Sequence, residues 1–183
     1  NMFVGRNNLG NAYRFMGRTK EAIEQLSLAI QLNPDHAYLF NNLGLAYRES
    51  GMNAAAIVQY QKALTMQPNL LQVYPNLIDA LRQNGQVQES IACAQHAISL
   101  TQEIPEIWGA YGDSLREANH LDAAIEAYIK ALSFKKDSAS SFNRRIYTNI
   151  LFCLNYHPDL SAEIIFNAYR EFDERFGLPL RAK

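Results

Sequence analysis

Three asparagines stand at Asn8, Asn42 and Asn76, each 34 residues from the next. A carboxamide carries donors and acceptors together, so a row of them can pair with the N–H and C=O groups of an extended polypeptide whatever its side chains. Two more rows keep the same spacing. Arg14, Arg48, Arg82 and Arg116 make an unbroken guanidinium row, and Asn11, Leu45, Asp79 and Asp113 bring carboxylates into the later copies. If all three rows bind, they favour segments of mixed charge. A plainer use is open to two pairs: Asp79 with Arg82 and Asp113 with Arg116 are three residues apart and can bond to each other. Exposed ion pairs of that kind add little stability.

The rows need elements that repeat with the same period, and the chain supplies them. Copies begin at Phe3, Ala37, Leu71 and Pro105, giving repeats over 3–36, 37–70, 71–104 and 105–138. The seventh residue of each is Leu9, Leu43, Leu77 and Tyr111, the eighth Gly10, Gly44, Ile78 and Gly112. Alanine recurs at Ala29, Ala63, Ala97 and Ala131. At about 100° per residue the fourth, seventh, eighth and eleventh positions share one helix face. Large side chains there pack on a second helix, and glycine lets the backbones approach. The asparagines fall on the opposite face. Gly17, Gly51, Gly85 and Asn119 break each helix pair at its turn, since both residue types tolerate positive φ. Thr19 and Asn53 are placed to cap the second helices. Pro34 and Pro68 punctuate the passage to the next copy, and Pro75 belongs in a first turn. In the third copy Ile78 replaces the small residue while Ala94 replaces the aromatic, an exchange that conserves volume.

The second copy reads Phe40, Leu43, Gly44, Tyr47, Ala56, Tyr60, Ala63, Pro68. This resembles the tetratricopeptide repeat family, whose signature is W-x2-L-G-x2-Y, A-x3-F and proline at a period of 34. The first copy keeps Leu9, Gly10, Tyr13, Ala22, Leu26, Ala29 and Pro34. The fourth keeps Trp108, Tyr111, Gly112, Leu115, Ala124, Tyr128 and Ala131 and ends in Lys136 where proline is usual. The resemblance implies an all-α fold, a right-handed α-α superhelix or tetratricopeptide solenoid with C-terminal capping helices. First helices then line the concave side, where such arrays present a surface to partners.

From Ala139 the phase breaks. Residues 139–183 read as a capping helix, Ser140–Leu154, and a second helix from Ser161 to about Phe176, closed by Gly177 and Pro179. Ile164, Ile165, Ala168, Tyr169, Phe172 and Phe176 make an apolar stripe in need of a partner. The run Tyr147-Thr148-Asn149-Ile150-Leu151-Phe152-Cys153-Leu154-Asn155-Tyr156-His157-Pro158-Asp159-Leu160-Ser161 resembles the junction between arm and transferase in bacterial relatives of O-linked N-acetylglucosamine transferase. Plant Spindly-type fucosyltransferases share the plan. That resemblance implies a substrate-recruiting arm of a protein O-glycosyltransferase, whose nucleotide-sugar lobes would follow Lys183. The family's arms hold acceptor polypeptides through similar amides, and it uses a histidine near the position of His157. The bland reading of His157 is a surface turn residue before proline. The rival function is a free-standing adaptor or scaffold with no enzyme attached.

Bulk composition narrows the remaining classes. The 183 residues are 48% apolar with a formal net charge of −1, ordinary for a folded domain and without the basic bias of a nucleic-acid or anionic-membrane surface. Cys93 and Cys153 sit in separate apolar patterns and read as buried thiols of a reducing compartment, so a cytoplasmic location is expected. His36, His96 and His120 lack metal-ligand spacing, and no phosphate-cradling glycine loop occurs. The chain is therefore expected to need no cofactor and to catalyse nothing alone. Its expected partners are extended protein or peptide segments, with a homodimer through the Ile164–Phe176 stripe as a structural alternative. Phe3 and Val4 lack a polar cap, which suggests further repeats before Asn1.

Overall fold

The computed structural model describes residues 2–134 and 140–177, and every regular element among them is helical. Lys136, Ala139 and Pro179, with the repeat boundary at 138, lie outside the described residues. The chain divides into two compact units, Asn1–Cys93 and Ala94–Lys183.

The first unit contains α1 (Met2–Phe15), α2 (Thr19–Leu32), α3 (Ala37–Glu49), α4 (Asn53–Met66), α5 (Val73–Gln83) and the start of α6 (Val87–Leu100). α1 packs on α2 and α3 on α4, while α2–α3 and α4–α5 contacts join one pair to the next. The glycines explain the tight pairing. A Cβ on Gly44 would stand 2.5 Å from the Tyr60 ring, and one on Gly10 would stand 2.7 Å from Leu26 Cγ. Only a residue without a side chain admits that approach. The seventh-position leucine has a different duty from the one its spacing suggests. Leu43 clusters with Ala22 and Leu26 of the preceding pair, so it seals the joint between copies. Leu9 shares that position, and it is 41% exposed against 5% for Leu43.

Each turn closes the same way. Gly17, Gly51 and Gly85 have φ of 71°, 74° and 79°, and Asn119 follows at 61°. The next amide then reaches back to the first helix: Arg18 N to Tyr13 O, Met52 N to Tyr47 O, Gln86 N to Leu81 O and His120 N to Leu115 O, each at 2.9 Å. This corrects the capping expectation. Thr19 and Asn53 are the first helical residues, and the caps are Arg18 and Met52, neither with a side-chain bond that caps the helix. The backward bond fixes the residue after glycine as the cap and leaves no place for a hydroxyl or amide to act. Pro75 is the third residue of α5, inside the first turn.

The second unit pairs α7 (Pro105–Glu117) with α8 (Leu121–Phe134) and continues with α9 (Ser141–Tyr156) and α10 (Ala162–Phe172). Ser140 and Ser161 cap α9 and α10, accepting from Asn143 N and Ile164 N. α9 lies on α8 and α7 and so covers the fourth repeat. α10 ends earlier than its pattern suggests, passing into a π-helical turn over Asp173–Gly177. That turn buries Phe176 beside Tyr147 of α9, ring centroids 5.4 Å apart. The first half of the stripe is uncovered, with Ile164, Phe166 and Tyr169 exposed.

Cys93 and Cys153 are free thiols. Burial pushes Cys93 from an ordinary 9.0 up to about 11, and raises Cys153 as well. A disulfide-forming probe at pH 8 should therefore label Cys93 about a hundredfold more slowly in the folded protein than in guanidinium, since thiolate is the reacting form. The same shift has a sign for stability. A group held protonated by the fold contributes below its unfolded pKa and loses that contribution as pH rises towards the folded value. Burial raises the Tyr60 and Tyr128 phenols too. Unfolding midpoints should hold level to about pH 8 and fall from about pH 9 upward.

Candidate peptide-binding site

The asparagine row is built on α1, α3 and α5 of the first unit, and it contains residues that spacing did not single out. Asn42 Nδ2 donates to Asn7 Oδ1 at 2.8 Å, and Asn41 Nδ2 donates to Asn42 Oδ1 at 3.4 Å. Asn76 Nδ2 donates to Asn41 Oδ1 at 3.4 Å and to the Gln72 carbonyl at 3.3 Å. Arg48 closes the series by donating to Asn76 Oδ1 at 3.5 Å. The bonds all run in one direction, from Arg48 through Asn76, Asn41 and Asn42 to Asn7. Chains ordered head to tail polarise one another and stiffen the side chains that form them.

Asn42 and Asn76 are thus brought together, through Asn41. Asn8 stands exposed on α1, while its neighbour Asn7 makes the contact to the next copy. The signal was present as an asparagine doublet, Asn7-Asn8 and Asn41-Asn42, interrupted at Pro75-Asn76. A carboxamide has two N–H groups and two acceptor lone pairs. Asn42 uses one donor and one acceptor site in the chain and keeps the other of each. Asn76 uses both donors and keeps one acceptor site.

The arginine row divides its partners. Arg14 pairs with Glu49 of the next copy at 2.5 Å, and Arg82 with Asp79 on its own helix at 3.6 Å. Asn11 presents a buried Oδ1 with no hydrogen-bond partner among the described residues. Tyr60 is wholly buried, its hydroxyl equally unpartnered among the described residues, with Arg48, Arg14, Glu49 and Asp79 as the charges that act on it.

In the second unit the same row positions serve packing. Ala110 replaces asparagine and is buried. Asp113, expected to face a partner, is 5% exposed and belongs to the interior. It accepts from Tyr128 Oη, Arg145 Nη1 and Asn149 Nδ2, each at 2.7 Å. Its ion pair is with Arg145 of α9, and Arg116 instead lays its guanidinium 5.0 Å from the Phe152 ring centroid. The correction has a simple cause: α9 delivers two donors to the carboxylate, and a sequence spacing within α7 could not reveal them. His157, at the end of α9, bonds through Nε2 to Asp122 Oδ1 at 2.9 Å and accepts the Asp159 amide at Nδ1. It borders a cavity of about 420 Å³ with Asn119, Leu121, Asp122 and Pro158. Among the described residues no group of histidine, cysteine, aspartate or glutamate is arranged to hold a metal ion. No helix among them is long and apolar enough to cross a membrane.

Paired helices of 11 to 14 residues, joined by like left-handed turns and carrying a polar row on their first members, define an α-helical repeat protein. Family models described as TPR repeat or tetratricopeptide repeat match residues 10–51, 37–70 and 76–140. The chain is a tetratricopeptide repeat protein. Solved structures share the fold at low identity. A MamA protein is 21% identical with a TM-score of 0.78, over 95% of this chain and 91% of that one. The Pseudomonas aeruginosa protein pilF is 18% identical with a TM-score of 0.79, over 96% and 75%. YrrB, described as a TPR protein with an unusual peptide-binding site, is 17% identical with a TM-score of 0.69, over 97% and 89%. No curated protein matches the sequence.

Proposed function

We propose that the first unit binds an extended polypeptide along the row formed by Asn42 and Asn76, flanked by Asn8, Asn11, Arg14, Arg48, Asp79 and Arg82. The observation that carries this is the head-to-tail amide chain from Arg48 to Asn7. It fixes the carboxamides in place before a partner arrives, which reduces the side-chain entropy lost on binding. It also leaves Asn42 with a spare donor and acceptor, the pair needed to meet one peptide unit of an extended strand. The peptide-binding site named for YrrB supports the same use of a related fold. Asn42→Ala combined with Asn76→Ala should weaken binding of a degenerate decapeptide library by about thirtyfold, two hydrogen bonds at about 1 kcal/mol each being at stake. Fluorescence anisotropy reads the affinity, and a thermal unfolding midpoint shows whether the fold survives. Unchanged affinity ends this reading.

A second reading concerns the larger protein. The phrase from Asn149 to Ser161 supports an arm that recruits substrates for a nucleotide-sugar-dependent protein glycosyltransferase, in the cytoplasm, with repeats over 3–138 and, over 139–183, a capping helix and the first helix of a transferase region. The alternative is an adaptor that presents the same row without an attached enzyme. Reading the gene beyond Lys183 separates them: alternating strands and helices over several hundred residues favour the transferase, and an early stop favours the adaptor.

A further inference from the structure

α10 rests on α9, and its residues Ile165, Ala168 and Phe172 are half-buried. At about 100° per residue, Ala162, Phe166 and Tyr169 share a second stripe beside them, while Ile164 falls to the other side. All three stripe residues are exposed, Phe166 to 66%. Tyr169 is tied in place, its hydroxyl accepting from Asn155 Nδ2 of α9. Phe176, at the far end of the apolar pattern, is buried within the chain and takes no part.

Two charges stand along one edge of this stripe, Glu163 in the first turn of α10 and Arg170 in the last. Both are exposed, and neither side chain has a hydrogen bond or ion pair among the described residues. Seven residues set them about 10.5 Å apart along the axis, whereas side chains that meet on one helix are three or four residues apart. The edge thus carries one free charge of each sign, placed evenly about the point between Phe166 and Asn167.

We propose that this face of α10 pairs with the same face of a second copy of the chain, the two helices running antiparallel about a two-fold axis between Phe166 and Asn167. A two-fold contact sets residue i against j and j against i. Glu163 of each copy then comes level with Arg170 of the other, and the two Phe166 rings meet beside the axis. Antiparallel helices also bring opposite ends of their dipoles together. A parallel pairing would oppose like charges at both ends. α10 has 11 residues, about 16 Å of helix, so the contact belongs to the small, transient class and forms reversibly with concentration.

Sedimentation velocity on the 183-residue chain, over about 1–500 µM as a contact this small requires, should show a monomer–dimer equilibrium. Glu163→Arg and Arg170→Glu should each weaken it about tenfold, since each turns two attractions into two repulsions. An equimolar mixture of the two variants should regain the parent's association, because every facing pair in the mixed dimer is again of opposite sign. Phe166→Asp should leave a monomer. The regain on mixing requires folded variants, and the far-ultraviolet circular dichroism of each variant alone reads its fold directly. A parent chain that stays monomeric at every concentration gives the face to a different partner and overturns the pairing. A dimer indifferent to both charge reversals, or folded variants that fail to associate when mixed, overturns it too. Peptide binding by the first unit is a separate matter and survives either failure.

Discussion

Gly112→Ala should lower the stability of the second unit by about 2 kcal/mol, and Gly44→Ala should lower that of the first by somewhat less. Two effects oppose each other here. Alanine improves helix propensity by about 1 kcal/mol over glycine. Its Cβ, however, would lie 2.5 Å from the Tyr128 ring at position 112 and 2.5 Å from the Tyr60 ring at position 44. Overpacking of a filled core costs about 1–3 kcal/mol, so the clash wins. Tyr128 is pinned by its bond to Asp113, whereas the Tyr60 hydroxyl has no partner among the described residues, so only the Tyr60 ring can slide. Hence the order of the two effects. Gly44→Ile should cost more than about 3 kcal/mol alone, and Tyr60→Ala added to it should restore part of the loss. The third copy already uses that combination, Ile78 with Ala94, and both are wholly buried. Urea unfolding measures all four variants. Equal midpoints for Gly112→Ala and the parent chain would remove steric approach as the reason for glycine.

Asp113→Ala should cost about 3 kcal/mol and loosen α9 from α7. The substitution strands the Tyr128 hydroxyl, which is wholly buried, and strips Arg145 and Asn149 of the oxygen they share. Removing one member of a buried, hydrogen-bonded charge cluster is worth about 3–5 kcal/mol, reduced here because Arg145 is nearly half exposed. Asp113→Asn should retain an acceptor for one donor and lose roughly half as much. Hydrogen exchange should show the effect at the amides of α9, while α1–α4 keep their protection. Uniform loss across the chain, or none, would argue against a local clasp. The result bears on function as well. A carboxylate that holds the fourth repeat to its cap is unavailable to a partner, which confines the proposed binding row to the first unit.

The architecture was largely written in the residues because a 34-residue period leaves few packings. Large and small side chains recur at fixed phase, and glycine or asparagine recurs where the backbone must turn left-handed. Those are local requirements, satisfied by residue type alone. The candidate site was only half readable. Phase put Asn42 and Asn76 on one face, and they do meet, but through Asn41, whose role depends on how α3 sits against α5. The capping error at Thr19 and Asn53 had a similar origin, since a backbone bond across the turn outranked side-chain preference.

Period, residue size and turn chemistry sufficed to define helix pairs and the rows they carry, because each acts within one copy of the repeat. Which polar groups remain open to a partner depended on neighbours distant in the chain. Arg14 finds Glu49, Asp113 finds Arg145 and Asn149, and Arg48 finds no carboxylate among the described residues. Charges that look equivalent along a row become unlike once packing assigns their partners, since an ion's free energy is set by what replaces its water.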